Sequence, residues 1–373
     1  LALWLCRRQS SGVTGLFCLA QVLGGAAAGA VGLQMSDLNI NLGPKPGFGL
    51  GEVLIVEILY TAMICFVYLN CAAAKGNNPA IGQNGFVGLA AGLVIVAGGY
   101  ASAAISGTVM NPAVAVGLQL VDLGDRVSQG WGAAYLPFEI AGAFLAAGAY
   151  RVVRPEEFRG CEAPRWQTSS KVMAEFIGTF YVVLTKALNY LGGSKAQSWS
   201  VAAALASMVY ALRGVSGGHF NPAVTLAAAV SNRRLLTARE TALYMGAQVL
   251  ACLSASAVYG VVHRGASIPV LRDTKSGHPS QVILGEMLFT ALLSYAVLAN
   301  TVARHHDFTG LVVGGCSLVG GLSVGNLSGS VLNPAVALAF GGLNALGGHW
   351  SESPCFLYAA YEAAGAMLAA GAF

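Results

Sequence analysis

Apolar runs, most of them close to 20 residues long, recur from one end of this chain to the other, each closed by a short polar or glycine-rich stretch. They are Val13–Leu33, Leu50–Cys71, Gly85–Ala104, Trp131–Val152, Val172–Tyr190, Trp199–Leu212, Thr241–Val262, Val282–Thr301, Thr309–Val324 and Pro354–Phe373. A helix needs about 20 apolar residues to cross a bilayer core. The pattern therefore predicts an all-α, multi-pass integral membrane protein. Alanine and glycine spaced along the runs let helix backbones approach closely in lipid. Composition points the same way: only 10% of the 373 residues are charged, against about 25% in a soluble domain.

A repeat is written over the apolar pattern. Asn-Pro-Ala occurs at Asn111-Pro112-Ala113, Asn221-Pro222-Ala223 and Asn333-Pro334-Ala335, at nearly even intervals along the chain. One copy arises by chance in roughly one chain in twenty of this length, so three even copies mark internal repetition. Each repeat opens with a helix carrying Glu and, four positions on, Thr: Glu57/Thr61, Glu175/Thr179 and Glu286/Thr290. A second Ala- and Gly-rich helix, a Ser-Gly loop, the tripeptide with its short apolar run, and a third helix follow. The third helices align, Glu139–Tyr150 with Glu362–Phe373, and Ala20–Leu23 with Ala247–Leu250. The expected layout is three complete repeats plus one stray helix at the front, which reads as two fused two-repeat units, the first lacking its opening half. The expected boundaries are an incomplete unit over 1–153, a basic linker over 154–170 and a complete unit over 171–373.

Three crossings per repeat make successive repeats inverted. Placing the linker in the cytoplasm puts thirteen of the 20 Lys and Arg on that side, as cytoplasmic loops prefer. Asn is a good helix N-cap and Pro suits the first helical position, so Asn-Pro starts a helix of about ten residues, about 15 Å, half a bilayer core. The preceding loop must dip to mid-membrane, where irregular backbone survives only inside protein or along a watery cavity. Two such N-termini facing each other carry about half a positive charge each. Neutral molecules with an oxygen can pass them; cations are repelled.

On these tripeptides, and on Ser216–Thr225 most specifically, the chain resembles the aquaporin and aquaglyceroporin (major intrinsic protein) family over nearly its whole length. The resemblance implies a passive channel for water and small neutral solutes of the glycerol or urea type, with no cofactor, no metal and no catalysis. It implies a narrow filter at Val201, Gly321, Ser330 and Val336, and at Gly99, Thr108 and Val114 in the incomplete unit. Family members carry Arg directly after the second Asn-Pro-Ala; here Val336 stands there, so the expected filter is wide, apolar and without a fixed cation. Tetrameric family members imply a homo-oligomer giving a four-pore assembly, here from a dimer of two-unit chains.

Glu57, Glu175 and Glu286 are expected to be structural, accepting N–H groups of the loops before each tripeptide. A proton relay is the alternative for intramembrane carboxylates. Glu139 and Glu362 have no assigned partner at this level. His219 is expected to line the cytoplasmic vestibule or to satisfy a loop carbonyl, and Lys186 to snorkel toward the membrane surface. The eight Cys show no metal or disulfide spacing. No basic stripe suits nucleic acid, and no nucleophile–base pair or phosphate loop suits an enzyme. The expected partners are the lipid bilayer and a small neutral solute. The rival readings are a closed-pore structural membrane protein and a proton-coupled solute transporter.

Overall fold

The computed structural model describes residues 1–35, 42–78, 84–121, 130–159, 167–231, 233, 235–263, 271, 279–303, 306–346 and 354–373. Arg126, Cys161, Arg165, Arg234, Arg264, Arg272, Lys275 and Arg304, used above in the charge and cysteine readings, lie outside the described residues, as does 160–166 of the expected linker.

The regular elements among the described residues are all helices. In chain order the helices are α1 (Ala2–Leu5), α2 (Ser11–Met35), α3 (Leu50–Tyr68, continued by a π turn at Leu69–Ala73), α4 (Val87–Ser102), α5 (Pro112–Val121), α6 (Trp131–Val153), α7 (Glu156–Arg159), α8 (Thr168–Leu191), α9 (Gln197–Ser216), α10 (Pro222–Val230), α11 (Ala238–Val262), α12 (Pro279–Thr301), α13 (Thr309–Ser328), α14 (Pro334–Leu346) and α15 (Cys355–Ala372). Nine of the described helices are long and apolar enough to cross a membrane. Of the ten apolar runs, only the one holding α4 yields a shorter helix, 16 residues.

Three short helices, α5, α10 and α14, begin at the prolines of the tripeptides. The Asn side chain caps each one: Ala113, Ala223 and Ala335 donate their N–H to Asn111, Asn221 and Asn333 Oδ1 at 3.0, 2.8 and 2.9 Å. Proline contributes a preset φ and needs no N–H partner there.

Packing repeats the sequence layout. The first and third helices of each repeat pair, as α3 with α6, α8 with α11 and α12 with α15. The short helices cross over: α10 packs on α15, α14 on α11, and α5 on α2. This exchange ties two consecutive repeats into one unit. Glycine makes the close pairs possible. A Cβ on Gly142 would sit 2.8 Å from the Ile58 carbonyl and 2.7 Å from Thr61 Cβ. One on Gly365 would sit 2.3 Å from the Met287 carbonyl and 3.1 Å from Thr290 Cβ. The Thr of each of these two Glu/Thr pairs is thus the surface against which the third helix closes.

Helix α4 lies against α9 and α8, so the α2–α6 helices meet the α8–α15 helices along one seam. Hydrogen bonds cross the seam. Tyr60 and Thr185 share one through their hydroxyls at 3.0 Å, Tyr181 Oη donates to the Leu59 carbonyl at 2.9 Å, and Ser200 Oγ donates to the Ala97 carbonyl at 2.8 Å. Arg154 closes one end. Its side chain is fully buried; Nε donates to Asn70 Oδ1 at 2.6 Å and Nη2 to the Ala211 carbonyl at 3.2 Å. The expected polar linker therefore begins inside the protein, because the π turn and α9 offer acceptors that a guanidinium can reach together. Nearby, Glu157 holds Arg8 in an ion pair and accepts the Lys75 N–H at 2.6 Å.

Gly365→Ala is expected to lower stability by about 1–3 kcal/mol, the usual cost of overpacking. Gly246→Ala, where a Cβ meets nothing within 4 Å, should leave it unchanged; thermal melts in one detergent compare the two. Arg154→Ala strands two buried acceptors at about 1–3 kcal/mol each and should lower the melting temperature of the whole chain.

Candidate functional site

The loops before the tripeptides are built alike. Their backbone turns left-handed at alternate residues: Thr108 and Met110 (φ 64° and 54°), Gly218 and Phe220 (70° and 50°), Ser330 and Leu332 (46° and 53°). Non-glycine residues in that region carry about 1–2 kcal/mol of strain each, and strain of this kind persists only where the surroundings over-determine it. A buried carboxylate supplies the constraint. Glu57 accepts the N–H groups of Val109 and Met110 at 3.1 and 2.8 Å, Glu175 those of His219 and Phe220 at 3.0 and 2.7 Å, and Glu286 those of Val331 and Leu332 at 2.9 and 2.7 Å. Each pair is bidentate, one oxygen per N–H.

Glu139 and Glu362 complete the arrangement. They accept the N–H of Asn111 and of Asn333, both at 2.8 Å. In α11 Gln248 instead donates to Glu175 at 2.8 Å and to Thr225 Oγ1 at 2.9 Å. Glu139 follows Asn111 along the chain by almost the same interval as Glu362 follows Asn333, and that match is the sequence signal that could have assigned them.

Asn221 and Asn333 meet. Asn221 Nδ2 donates to the Leu332 carbonyl at 2.7 Å, and Asn333 Nδ2 to the Phe220 carbonyl at 2.9 Å. Each loop therefore ties itself to the other through the same atom pair. An amide NH2 has two hydrogens, so each Asn keeps one beyond this tie. Asn111 is exposed; it lines a separate cavity of about 360 Å³ beside Leu1, Ala2, Leu3 and Glu139.

Three cavities follow one another through the α8–α15 unit. A vestibule of about 360 Å³ is lined by Tyr190, Lys195, Gly321 and Asn326 among others. A central cavity of about 40 Å³ is lined by Asn221, Asn333, His219, Phe220, Val224 and Val336 among others. A further cavity of about 310 Å³ opens around Arg213, Gly217 and Asn300. The vestibule and central cavity share Lys186, Val201, Ser317, Ser330 and Val331. The central and third cavities share Val297 and Val313. At ~10–15 Å³ for each water held, the central cavity of about 40 Å³ suits about three or four waters. Among the described residues no carboxylate lines any of the three.

Of the four positions given by the resemblance, Val201 and Ser330 lie where vestibule and central cavity join, Val336 lines the central cavity, and Gly321 lines the vestibule. His219 lies beside the central cavity, with Nδ1 3.2 Å from Thr225 Oγ1. Lys186 corrects the expectation. It does not snorkel: only 6% of it is exposed, and its Nζ donates to the Ser330 carbonyl. The side chain turns inward to the Ser330 carbonyl instead, on the wall shared by the vestibule and the central cavity.

Known proteins share long stretches of this sequence. The model of the family described as Major intrinsic protein matches residues 1–121, 64–190 and 162–370. Similar proteins include Aquaporin NIP1-3 of Oryza sativa subsp. japonica, 32% identical over 181 residues, 45% of this chain and 62% of that protein. Aquaporin A of Dictyostelium discoideum is 31% identical over 221 residues, 53% of this chain and 75% of that protein. Glycerol uptake facilitator protein-like 6 of Lactiplantibacillus plantarum is 33% identical over 214 residues, 54% of this chain and 94% of that protein. The chain thus spans about three fifths of the length of the first of these relatives. With matches from end to end of the sequence, an all-helical fold and apolar membrane-length helices, this chain belongs to the major intrinsic protein family.

Proposed function

We propose that this chain is a passive transmembrane channel for water and small neutral solutes of the glycerol or urea class, and that the conduit lies within 171–373. The observation that carries this reading is the file of three cavities past the paired N-termini of α10 and α14. Around the central cavity, Asn221 and Asn333 offer amide hydrogens, Ser330 and Ser317 hydroxyls, and Val201, Val224, Val297 and Val336 apolar wall. A solute that trades water hydrogen bonds for these few polar groups passes, while the two helix N-termini raise the energy of a cation. The names of the similar proteins, aquaporins and a glycerol uptake facilitator, accord with such solutes.

We further propose the division expected from the sequence, an incomplete unit over 1–153, a linker over 154–170 and the channel unit over 171–373, and a homo-oligomer that brings four units together. Transport without coupling is favoured because Glu57, Glu175 and Glu286 are spent on loop N–H groups and lie off the conduit. The second reading, a closed structural pore, draws on one observation: the central cavity is small beside its neighbours.

The full chain reconstituted in liposomes should speed osmotic shrinkage in stopped-flow scattering well above protein-free vesicles and admit glycerol on reswelling. The Asn221→Asp/Asn333→Asp variant, which loses both ties between the loops, should lose this flow. Folded protein that passes neither water nor glycerol would favour the closed pore, and glycerol uptake that follows an imposed pH gradient would favour a coupled transporter. Glu286→Gln exchanges one acceptor oxygen for an amide donor facing an N–H. It should cost about 1–3 kcal/mol of stability, seen as a lower melting temperature, and reduce water flow in the same assay.

A further inference from the structure

The residue after the third Asn-Pro-Ala is Val336, so the position at which the resemblance expects a cation holds an apolar side chain on the central cavity. A cation nevertheless stands at this level of the conduit. Lys186 comes from α8, in the other repeat of the unit, and lines both the vestibule and the central cavity. The other residues shared by those two cavities are Val201, Ser317, Ser330 and Val331, so the lysine belongs to the ring where the path changes from about 360 Å³ to about 40 Å³.

Its surroundings make it costly. The side chain is 6% exposed, and among the described residues its ammonium has no carboxylate partner in an ion pair. One N–H goes to the Ser330 carbonyl; an ammonium has three. Taking an ammonium out of water costs several kcal/mol, which the carboxylates of Glu286 and Glu362, too far for an ion pair but close enough to act on the charge, offset in part, and ionisable groups inside membrane segments are functional by default. Lys186 does not take the ordinary relief for such a residue, snorkelling to the membrane surface; its Nζ is held at the Ser330 carbonyl.

The placement is also one-sided. Lys186 follows Glu175 by eleven positions (175 to 186), and the corresponding residue of the next repeat, eleven after Glu286 (286 to 297), is Val297. Val297 lines the junction of the central and Arg213-lined cavities. Equivalent places at the two ends of the central cavity thus carry an ammonium at one and a valine at the other.

Resting on the channel reading above, we propose that Lys186 is the selectivity cation of this conduit. Held against the Ser330 carbonyl, it puts a positive charge at the junction of vestibule and central cavity, in line with the positive ends of α10 and α14. Hydronium and metal cations are repelled there, and neutral solutes carrying hydroxyl or carbonyl oxygen hydrogen-bond to the remaining ammonium hydrogens as they pass. Lysine is a compact point charge with rotatable donors on a flexible stem, so it donates without the fixed planar fork of an arginine. It narrows the path less and favours solutes by hydrogen bonding more than by shape.

The test uses the full chain in liposomes, with water flow by stopped-flow scattering, glycerol entry by reswelling, and proton entry by a trapped pH dye under a potassium diffusion potential. Lys186→Gln keeps a donor for the Ser330 carbonyl and removes the charge. It should raise proton entry relative to water flow at least about tenfold, since a unit charge a few ångströms from the path is worth several RT in a low-dielectric site. Lys186→Arg should retain proton exclusion and slow glycerol. Lys186→Cys should leak protons. Treatment with aminoethyl methanethiosulfonate, which restores an ammonium, should close the leak, and methyl methanethiosulfonate, which adds no charge, should not; the unaltered sequence exposed to both reagents controls for the native thiols. Lys186→Gln that conducts water and still excludes protons, or equal rescue of Lys186→Cys by both reagents, would overturn the proposal and leave Lys186 a strut for the Ser330 loop. If the unaltered chain passes no water, the channel reading itself falls and takes this one with it, an outcome distinct from unaltered selectivity in a conducting variant.

Discussion

A buried carboxylate gripping two consecutive loop N–H groups is the interaction on which the rest of this structure depends. In a bilayer every backbone polar group needs a partner from within the protein, and the segments before the tripeptides form neither helix nor strand. Glu57, Glu175 and Glu286 meet that need and hold their loops in alternating left-handed turns. The short helices then start at the right depth, and the two Asn side chains of the α8–α15 unit arrive where each can bind the other's loop. Remove the grip and the strain, the caps and the cavity walls lose their common support together.

Around these latches the helices use few means. Glycine at the crossings of α3 with α6 and of α12 with α15 lets backbone meet backbone. Large apolar side chains such as Leu250, Leu322 and Phe356 stay on the outside, as the bilayer allows. The seam between the two units is different. There hydroxyls of Tyr60, Tyr181, Ser200 and Ser207 reach the facing unit, so polar contacts, each shielded from lipid, hold two similar surfaces in one relation.

Much of this was legible in the sequence because it is local or periodic. Asn followed by Pro carries its own capping chemistry, helix length follows from apolar runs, and a Glu four positions before a Thr on three first helices marks a shared job. The π turn at Leu69–Ala73, the burial of Arg154 and the seam depend on which helices become neighbours, and no short window holds that information. Lys186 is the instructive miss. Read alone, a lysine near a helix end in a membrane segment snorkels; only the neighbours supplied by α9, α13 and the Ser330 loop make it part of the wall shared by two adjoining cavities. Val336 shows in sequence that no arginine follows the third tripeptide, yet a charge arrives at the same level from a different helix, and no local pattern announces it.

Arg154 sets a condition on how the protein is made. Two of its acceptors lie on opposite sides in chain order, Asn70 upstream and the Ala211 carbonyl downstream in α9. While α9 is still being synthesised, the guanidinium at the end of α6 has only part of its partners. The burial of Arg154 is therefore complete only once residues on both sides of it in the chain, out to Ala211, are in place.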